Sequence, residues 1–268
     1  MTRSQTRPRR QALAEMLGLM GLLMGGGLLA GQGGQTLARS IGMGGASAPP
    51  PSRAPRTSDP ALTPPRGDGM AALDRNLITA ASIGDLDLVN RLLAAGASAQ
   101  AVDERGRTAL VAAVYNRRGD VARALIQAGA DVNRKDGEAN SAFLLAAATG
   151  QIDVVRLALA HGADLRSTDR YDGTALIAAS QHGNVEVVKL LLKAGIAVDQ
   201  VNQLGWTALL EAIVLGDGST RYEEIVQLLL DAGADANLAD REGITPSRHA
   251  RERGYKTMVK MLMRARGH

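Results

Sequence analysis

The sequence predicts an all-α fold, an α-solenoid of about six stacked helical repeats. The first observation is a hydroxyl residue that recurs every 33 residues and then once after 38, at Thr108, Ser141, Thr174, Thr207 and Thr245. The second is a glycine with the same spacing, at Gly96, Gly129, Gly162, Gly195 and Gly233. The third is that aromatic residues make up only 2% of the chain. Small and aliphatic side chains can fill the space between stacked helices, whereas a conventional single core usually contains more aromatic residues.

The unit that begins at Asp169 shows how each repeat folds. Residues 169–173 are rich in turn formers, and Thr174 can cap a helix by accepting hydrogen bonds from free backbone N–H groups. A short helix of small residues follows and ends at Gly183, which tolerates the positive φ of a helix exit. The second helix ends at Gly195 in the same way. Its apolar stripe at helical spacing consists of Val187, Val188, Leu190, Leu191 and Leu192.

The period, the Thr-x-Leu start and the Gly-Ala end together resemble the ankyrin-repeat family. The resemblance extends from about Met70 to the C-terminus. Its units are 70–102, 103–135, 136–168, 169–201, 202–239 and 240–268. It implies pairs of antiparallel helices that are joined to the next pair by β-turn fingers, and a surface that binds other proteins.

Two internal units depart from the pattern. Arg117 stands where the turn between the two helices usually has a glycine, so we expect a distorted turn there. The unit 202–239 has five extra residues between Leu215 and Glu224, which we expect to lengthen the loop between its helices. Two interpretations of this insertion, residues 216–222, are open: a recognition loop, or a surface loop that is tolerated without function.

The last unit differs from the others as a terminal cap should. Ser247 replaces a leucine. We expect its basic side chains to solvate the open end of the stack. They are Arg248, Arg251, Arg253, Lys256, Arg264 and Arg266.

The first 38 residues have the features of a secretory signal peptide. Four arginines precede an uncharged apolar run, residues 16–30; small residues follow, and Thr36-Leu37-Ala38 offers a cleavage site. The arginines are Arg3, Arg7, Arg9 and Arg10. The last two resemble a twin-arginine export signal, although Ala12 stands where a bulkier residue is usual. An uncleaved membrane anchor and a mitochondrial transit peptide are the alternatives, but the run is shorter than the roughly 20 residues that a permanent transmembrane helix needs.

Residues 39–69 are rich in Pro, Ser, Gly and Ala, which predicts a disordered linker. The chain has a net charge of +4, but residues 1–38 contain four basic residues and one acidic residue, so the remainder has a net charge of +1. The predicted repeats therefore lack the positive charge that phosphate contacts require, and we expect no binding of nucleic acid. The absence of cysteine excludes a disulfide framework, a thiol nucleophile and cysteine-bound zinc.

The resemblance also indicates where a partner protein would bind, because ankyrin stacks bind through their finger tips and the first-helix side. Mapping the family's variable positions onto this chain selects Arg105, Arg107, Tyr115, Asn116, Glu138, Asn140, Arg170, Tyr171, Gln181, His182, Gln203 and Trp206, together with Glu104 and Lys135. Exposed Tyr and Trp are common hot spots, so Tyr115, Tyr171 and Trp206 are the most informative. The alternative is that Trp206 packs on the neighbouring finger and that Tyr115 only covers its turn.

No arrangement of residues in the sequence indicates catalysis. The four histidines, His161, His182, His249 and His268, are scattered, and no pair has metal-ligand spacing. We therefore expect no enzyme activity, cofactor, metal or small-molecule substrate. The predicted function is a non-enzymatic, monomeric protein-binding scaffold or regulator of the bacterial cell envelope, periplasmic or secreted. The alternatives are a secreted effector that binds host proteins and an adaptor anchored to the inner membrane by an uncleaved N-terminal segment.

Overall fold

The computed structural model describes residues 67–265, and within this range the chain forms twelve α-helices and no β-strand. The helices are α1 (Gly67–Ile83), α2 (Leu86–Ala94), α3 (Ala109–Tyr115), α4 (Gly119–Gln127), α5 (Ala142–Ala148), α6 (Ile152–Ala160), α7 (Ala175–Gln181), α8 (Val185–Lys193), α9 (Ala208–Val214), α10 (Thr220–Asp231), α11 (Pro246–Glu252) and α12 (Lys256–Ala265). The predicted all-α fold is confirmed. The predicted signal peptide and residues 39–66 of the predicted linker lie outside the described residues. Residues 67–69, also predicted as linker, belong to α1.

The helices form six pairs that stack in two layers. The first helices of the pairs contact one another in chain order, from α1 through α3, α5, α7 and α9 to α11. The second helices, from α2 to α12, do the same. This is the predicted solenoid of six units. Within residues 67–265, no helix is long and apolar enough to cross a membrane.

The recurring hydroxyl residue caps the first helix of a unit, as predicted. The side-chain oxygens of Thr108, Ser141, Thr174, Thr207 and Thr245 each accept a hydrogen bond from the backbone N–H three residues later, at 3.1–3.4 Å. A cap of this kind stabilises a helix by about 1 kcal/mol. Two residues after each cap lies a core position. Leu110, Phe143, Leu176 and Leu209 are fully buried there, and Ser247 takes this position in the last unit.

The turn between α3 and α4 is not distorted, so that expectation is wrong. Arg117 adopts a left-handed φ of 58°, close to the 70° of Gly150 and Gly183 in the equivalent turns. The N–H of the next residue, Arg118, donates to the carbonyl of Ala113 at 2.8 Å, as Gln151 and Asn184 do to Ala146 and Ala179 at 2.9 Å in the equivalent turns. The turn therefore keeps its hydrogen bonds while a non-glycine residue carries the backbone strain.

The five extra residues of the unit 202–239 lie only partly in a loop. The loop between α9 and α10 has five residues instead of the three of the units 103–135, 136–168 and 169–201, and α10 has twelve residues where α4, α6 and α8 have nine. Three of the added residues therefore extend the start of α10. One of them, Tyr222, is buried, and its hydroxyl donates to the carbonyl of Gln181 at 2.9 Å. From the other side, the Tyr255 hydroxyl donates to the carbonyl of Gly216 at 2.9 Å.

Candidate protein-binding surface

Five β-turn fingers, one before each of α3, α5, α7, α9 and α11, share one hydrogen-bonded geometry. Each finger begins with an Asp or Asn: Asp103, Asp136, Asp169, Asn202 and Asp240. The side-chain Oδ1 of this residue accepts from the backbone N–H groups two and four residues later, at 2.8–3.0 Å. Its own N–H donates to the carbonyl four residues later, at 2.9–3.1 Å. The finger tips are thus ordered by their own hydrogen bonds.

Neighbouring fingers are also tied to one another. The N–H of Gly137 donates to the carbonyl of Arg105 at 2.9 Å, and the N–H of Gln203 donates to the carbonyl of Tyr171 at the same distance. The Lys135 ammonium donates to the carbonyl of Thr168 at 2.7 Å. These bonds fix the spacing of the tips along the stack.

Four of the predicted binding residues come together across three fingers, and we call them the finger cluster: Glu138, Arg170, Tyr171 and Gln203. The Arg170 guanidinium lies 3.6 Å from the Glu138 carboxylate and 4.9 Å from the centre of the Tyr171 ring. The Gln203 amide donates to the carbonyl of Arg170 at 2.9 Å. Glu138, Arg170 and Gln203 are exposed and Tyr171 is half-buried. The cluster combines both charges, an amide and an aromatic ring on one exposed surface.

Two predicted binding residues have structural roles of their own. The Arg107 guanidinium is held by Asp103 of the same finger, with Nη2 2.7 Å from Oδ2. The Asn116 amide donates to Ser82 Oγ of the preceding unit at 3.1 Å and to the carbonyl of Ala112 at 2.9 Å. A partner that used these groups would have to compete with those bonds.

Gln181 departs from its expected place at the surface. It is the last residue of α7, and only 7% of it is exposed, because the extended α10 packs its Tyr222 against this part of the chain. Its neighbour His182 is half-buried, and burial lowers the pKa of the imidazole. Burial therefore favours the neutral form of the His182 imidazole.

The remaining predicted residues lie at the surface without belonging to the finger cluster. Arg105 is exposed at its finger tip, and Tyr115 is 39% exposed at the end of α3. Asn140 and Trp206 are half-buried at the bases of their fingers, directly before the caps Ser141 and Thr207. A larger fraction of Tyr115 than of Trp206 is therefore exposed.

Sequence reasoning missed the buried carboxyl of Glu211 in α9. This residue is fully buried, its Oε1 accepts from the Asn202 amide at 2.6 Å, and its Oε2 has no hydrogen-bond partner among the described residues. Burial raises the pKa of Glu211 to about 8, assisted by the nearby charge of Asp169 and opposed by the hydrogen bond from Asn202. The sequence does show that this position differs between the units, because only this unit has a carboxyl there. The equivalent positions of the other units hold Ala112, Leu145, Ala178 and His249.

The family assignment follows from the whole stack. A family model described as ankyrin repeats (3 copies) matches residues 74–136, 120–202 and 143–240. The chain belongs to the ankyrin repeat family. Ankyrin repeats are in general protein–protein interaction modules, and their family and fold are typically non-enzymatic binding scaffolds. Among the described residues of this ankyrin repeat protein, no group of His, Asp or Glu could hold a metal ion.

Relatives with known structures have the same fold. The crystal structure of an ankyrin repeat domain from Acinetobacter baumannii AYE is 51% identical, with a TM-score of 0.68 over 70% of this chain and 96% of that one. The crystal structure of the ankyrin repeat protein EF0377 is 37% identical, with a TM-score of 0.68 over 71% of this chain and 97% of that one. YahD, an ankyrin repeat protein of Escherichia coli K12, is 50% identical over 56 residues. That match spans 21% of this chain and 28% of YahD.

Proposed function

We propose that this ankyrin repeat protein is a non-enzymatic scaffold or regulator that binds a partner protein through the finger cluster and the neighbouring finger tips. The observation that carries the proposal is the finger cluster itself, an exposed set of side chains held on hydrogen-bonded fingers. Ordering such a surface in advance reduces the entropy lost on binding. The Tyr171 ring under the Arg170 guanidinium supplies the aromatic and Arg contacts that dominate many interfaces.

Site-specific photo-crosslinking in the native cell tests this surface. A photoreactive amino acid is placed at Arg105 or Gln203 on the fingers, and at Arg123 or Arg156 on the second helices as matched exposed controls. We expect crosslinks to one partner protein from the finger positions only. Crosslinks to that partner from the second-helix positions alone would overturn the proposal.

A substitution in the finger cluster gives a second readout. We expect Tyr171→Ala to weaken capture of the crosslinked partner by at least tenfold, while the melting temperature changes little. Truncation of an interface hot spot typically costs 2 kcal/mol or more, which is more than a factor of about ten. Arg123→Ala, on the exposed side of α4, is the control that leaves capture unchanged. A loss of melting temperature instead of affinity would assign the Tyr171 ring to the packing of the stack.

We also propose that the protein acts outside the cytosol as a monomer, in the bacterial envelope. The support is the sequence of residues 1–38, with arginines followed by an apolar run and small residues. Cell fractionation with the intact mass of the mature protein tests this. We expect a periplasmic or secreted form that has lost about 38 residues, and an intact Met1 in the cytosolic fraction would contradict it. Light scattering of the purified protein tests the monomeric state.

A further inference from the structure

The charge of the stack changes sign at its C-terminal end. Residues 67–247 contain 16 basic and 24 acidic side chains, a net charge of −8. Residues 248–265 contain six basic side chains and one acidic side chain, a net charge of +5. The basic residues are Arg248, Arg251, Arg253, Lys256, Lys260 and Arg264, and all are exposed. We call these six residues, together with Met263, the basic end face.

Two residues of the basic end face, Arg248 and Arg251, occupy positions that are buried in the other units. The counterparts of Arg248 are Val111, Leu144, Ile177 and Leu210, and the counterparts of Arg251 are Val114, Ala147, Ser180 and Ile213. All eight are buried. A polar residue of either charge, or of none, would be sufficient to solvate the end of the stack. The need for a cap therefore explains why these two positions are polar, and it does not explain why both are basic.

The second helix of this unit concentrates the charge in one stripe. Lys256, Lys260 and Arg264 follow one another at every fourth residue of α12, so they lie on one side of the helix over about 12 Å. Met263 lies on the same side and is 57% exposed. Met258 and Leu262 are fully buried and hold the helix on the stack. The stripe thus combines three cations with an exposed apolar side chain.

Most of this positive charge is not neutralised within the described part of the chain. Arg248 pairs with Glu252, with Nε 2.9 Å from Oε1. Within residues 67–265, the other five basic side chains of the end face take part in no ion pair. Like charges held close together repel one another and oppose folding. An anionic surface placed against them would relieve that repulsion.

We propose that the basic end face binds the anionic surface of a phospholipid membrane. Basic residues spread over two helices fit an array of headgroups better than a single anion. Met263 favours a membrane over other anionic surfaces. An exposed apolar side chain is stabilised by burial at the boundary of headgroups and acyl chains, whereas a soluble polyanion offers it no apolar contact. The finger cluster lies on other units, 136–168, 169–201 and 202–239, so one molecule can hold a membrane and a partner protein together.

Vesicle binding of the full chain tests the charge requirement. The probes are vesicles of phosphatidylcholine alone and vesicles with about one third phosphatidylglycerol. The test variant carries Lys256→Gln, Lys260→Gln and Arg264→Gln, and the control variant carries Arg91→Gln, Arg123→Gln and Lys193→Gln. The control residues are exposed cations of α2, α4 and α8, so the two variants have the same net charge. Each cation near an anionic membrane contributes about fivefold in affinity, so we expect about a hundredfold weaker binding for the test variant only. Equal binding by the two variants would overturn the proposal.

A label on the end face tests its contact with the membrane directly. The chain has no cysteine, so Met263→Cys and Arg123→Cys each give one attachment site for an environment-sensitive fluorophore. We expect a blue shift at position 263, but not at position 123, on vesicles with phosphatidylglycerol. Binding through residues 1–66 alone would leave both labels unshifted and would overturn the proposal. Binding to poly-glutamate or duplex DNA as tight as to these vesicles would also overturn it. Tyr171→Ala is expected to leave vesicle binding unchanged, so this test fails or succeeds independently of the finger cluster.

Discussion

Arg117→Gly is expected to make the turn between α3 and α4 more favourable than Arg117→Ala does. Arg117 holds a φ of 58° in a turn where other units place glycine. A side chain at such a φ brings Cβ close to the backbone, whereas glycine has no Cβ. Alanine usually gives a more stable protein than glycine, so a glycine variant that is more stable than the alanine variant would indicate this strain.

The magnitude follows from two opposing contributions. A non-glycine residue in the left-handed conformation costs about 1–2 kcal/mol, and the greater freedom of glycine in the unfolded chain costs about 0.4–1 kcal/mol. The free energy of unfolding of Arg117→Gly should therefore exceed that of Arg117→Ala by about 1 kcal/mol. Both variants lose the hydrogen bond from Arg117 Nη2 to the carbonyl of Thr149, at 3.1 Å, so the comparison isolates the backbone.

The assay is thermal unfolding followed by far-ultraviolet circular dichroism, with urea unfolding for the free energy. For a stack of this size, 1 kcal/mol corresponds to about 2–4 °C in the melting temperature. The matched control is the same pair of variants at Arg123, an exposed residue inside α4 with helical backbone. At position 123, the free energy of unfolding of the alanine variant should exceed that of the glycine variant by about 1 kcal/mol. An Arg117→Ala protein as stable as Arg117→Gly would refute the strain argument.

Two further predictions concern buried polar groups. Because the pKa of Glu211 is raised from 4.5 to about 8 in the fold, its contribution to stability is fully present below pH 4.5 and is lost as the pH rises through 8. We expect the free energy of unfolding to fall in that window by up to about 1.4 kcal/mol per pH unit relative to Glu211→Gln. Urea unfolding at several pH values measures this, and equal pH slopes would contradict it. Tyr222→Phe removes the hydroxyl that donates to the buried carbonyl of Gln181, so we expect the free energy of unfolding to fall by about 1–3 kcal/mol. The control is Tyr115→Phe, at an exposed ring, which should change the free energy of unfolding by less than about 0.5 kcal/mol. An equally small change for Tyr222→Phe would contradict a stabilising role of the bond from Tyr222 to Gln181.

Much of the fold could be read from the sequence because each unit contacts mainly its nearest neighbours. The caps Thr108, Ser141, Thr174, Thr207 and Thr245 act within three residues of themselves, so spacing alone located them. The same holds for the finger turns, whose hydrogen bonds span four residues. The family's variable positions led to the four residues of the finger cluster, which stays a predicted site.

The failures have a different physical origin. The missing glycine predicts a distorted turn at Arg117, but the turn keeps its hydrogen bond from Arg118 to Ala113 and Arg117 itself adopts the left-handed backbone conformation. The insertion was expected in a loop, yet three of its residues extend α10. Its pairing with Gln181 joins residues 41 positions apart. No local pattern encodes such a contact.

The sequence by itself determined the 33-residue repeat, the caps and the core positions, because these depend on contacts that recur from one unit to the next. Only the tertiary structure decided that Gln181 and Glu211 are buried, that the insertion is anchored by Tyr222 and Tyr255, and that Arg107 and Asn116 hold their own fingers and neighbours. Those features depend on which side chains face each other between units. That arrangement is set by the packing of the stack, where burial and distance fix the energy of each polar group.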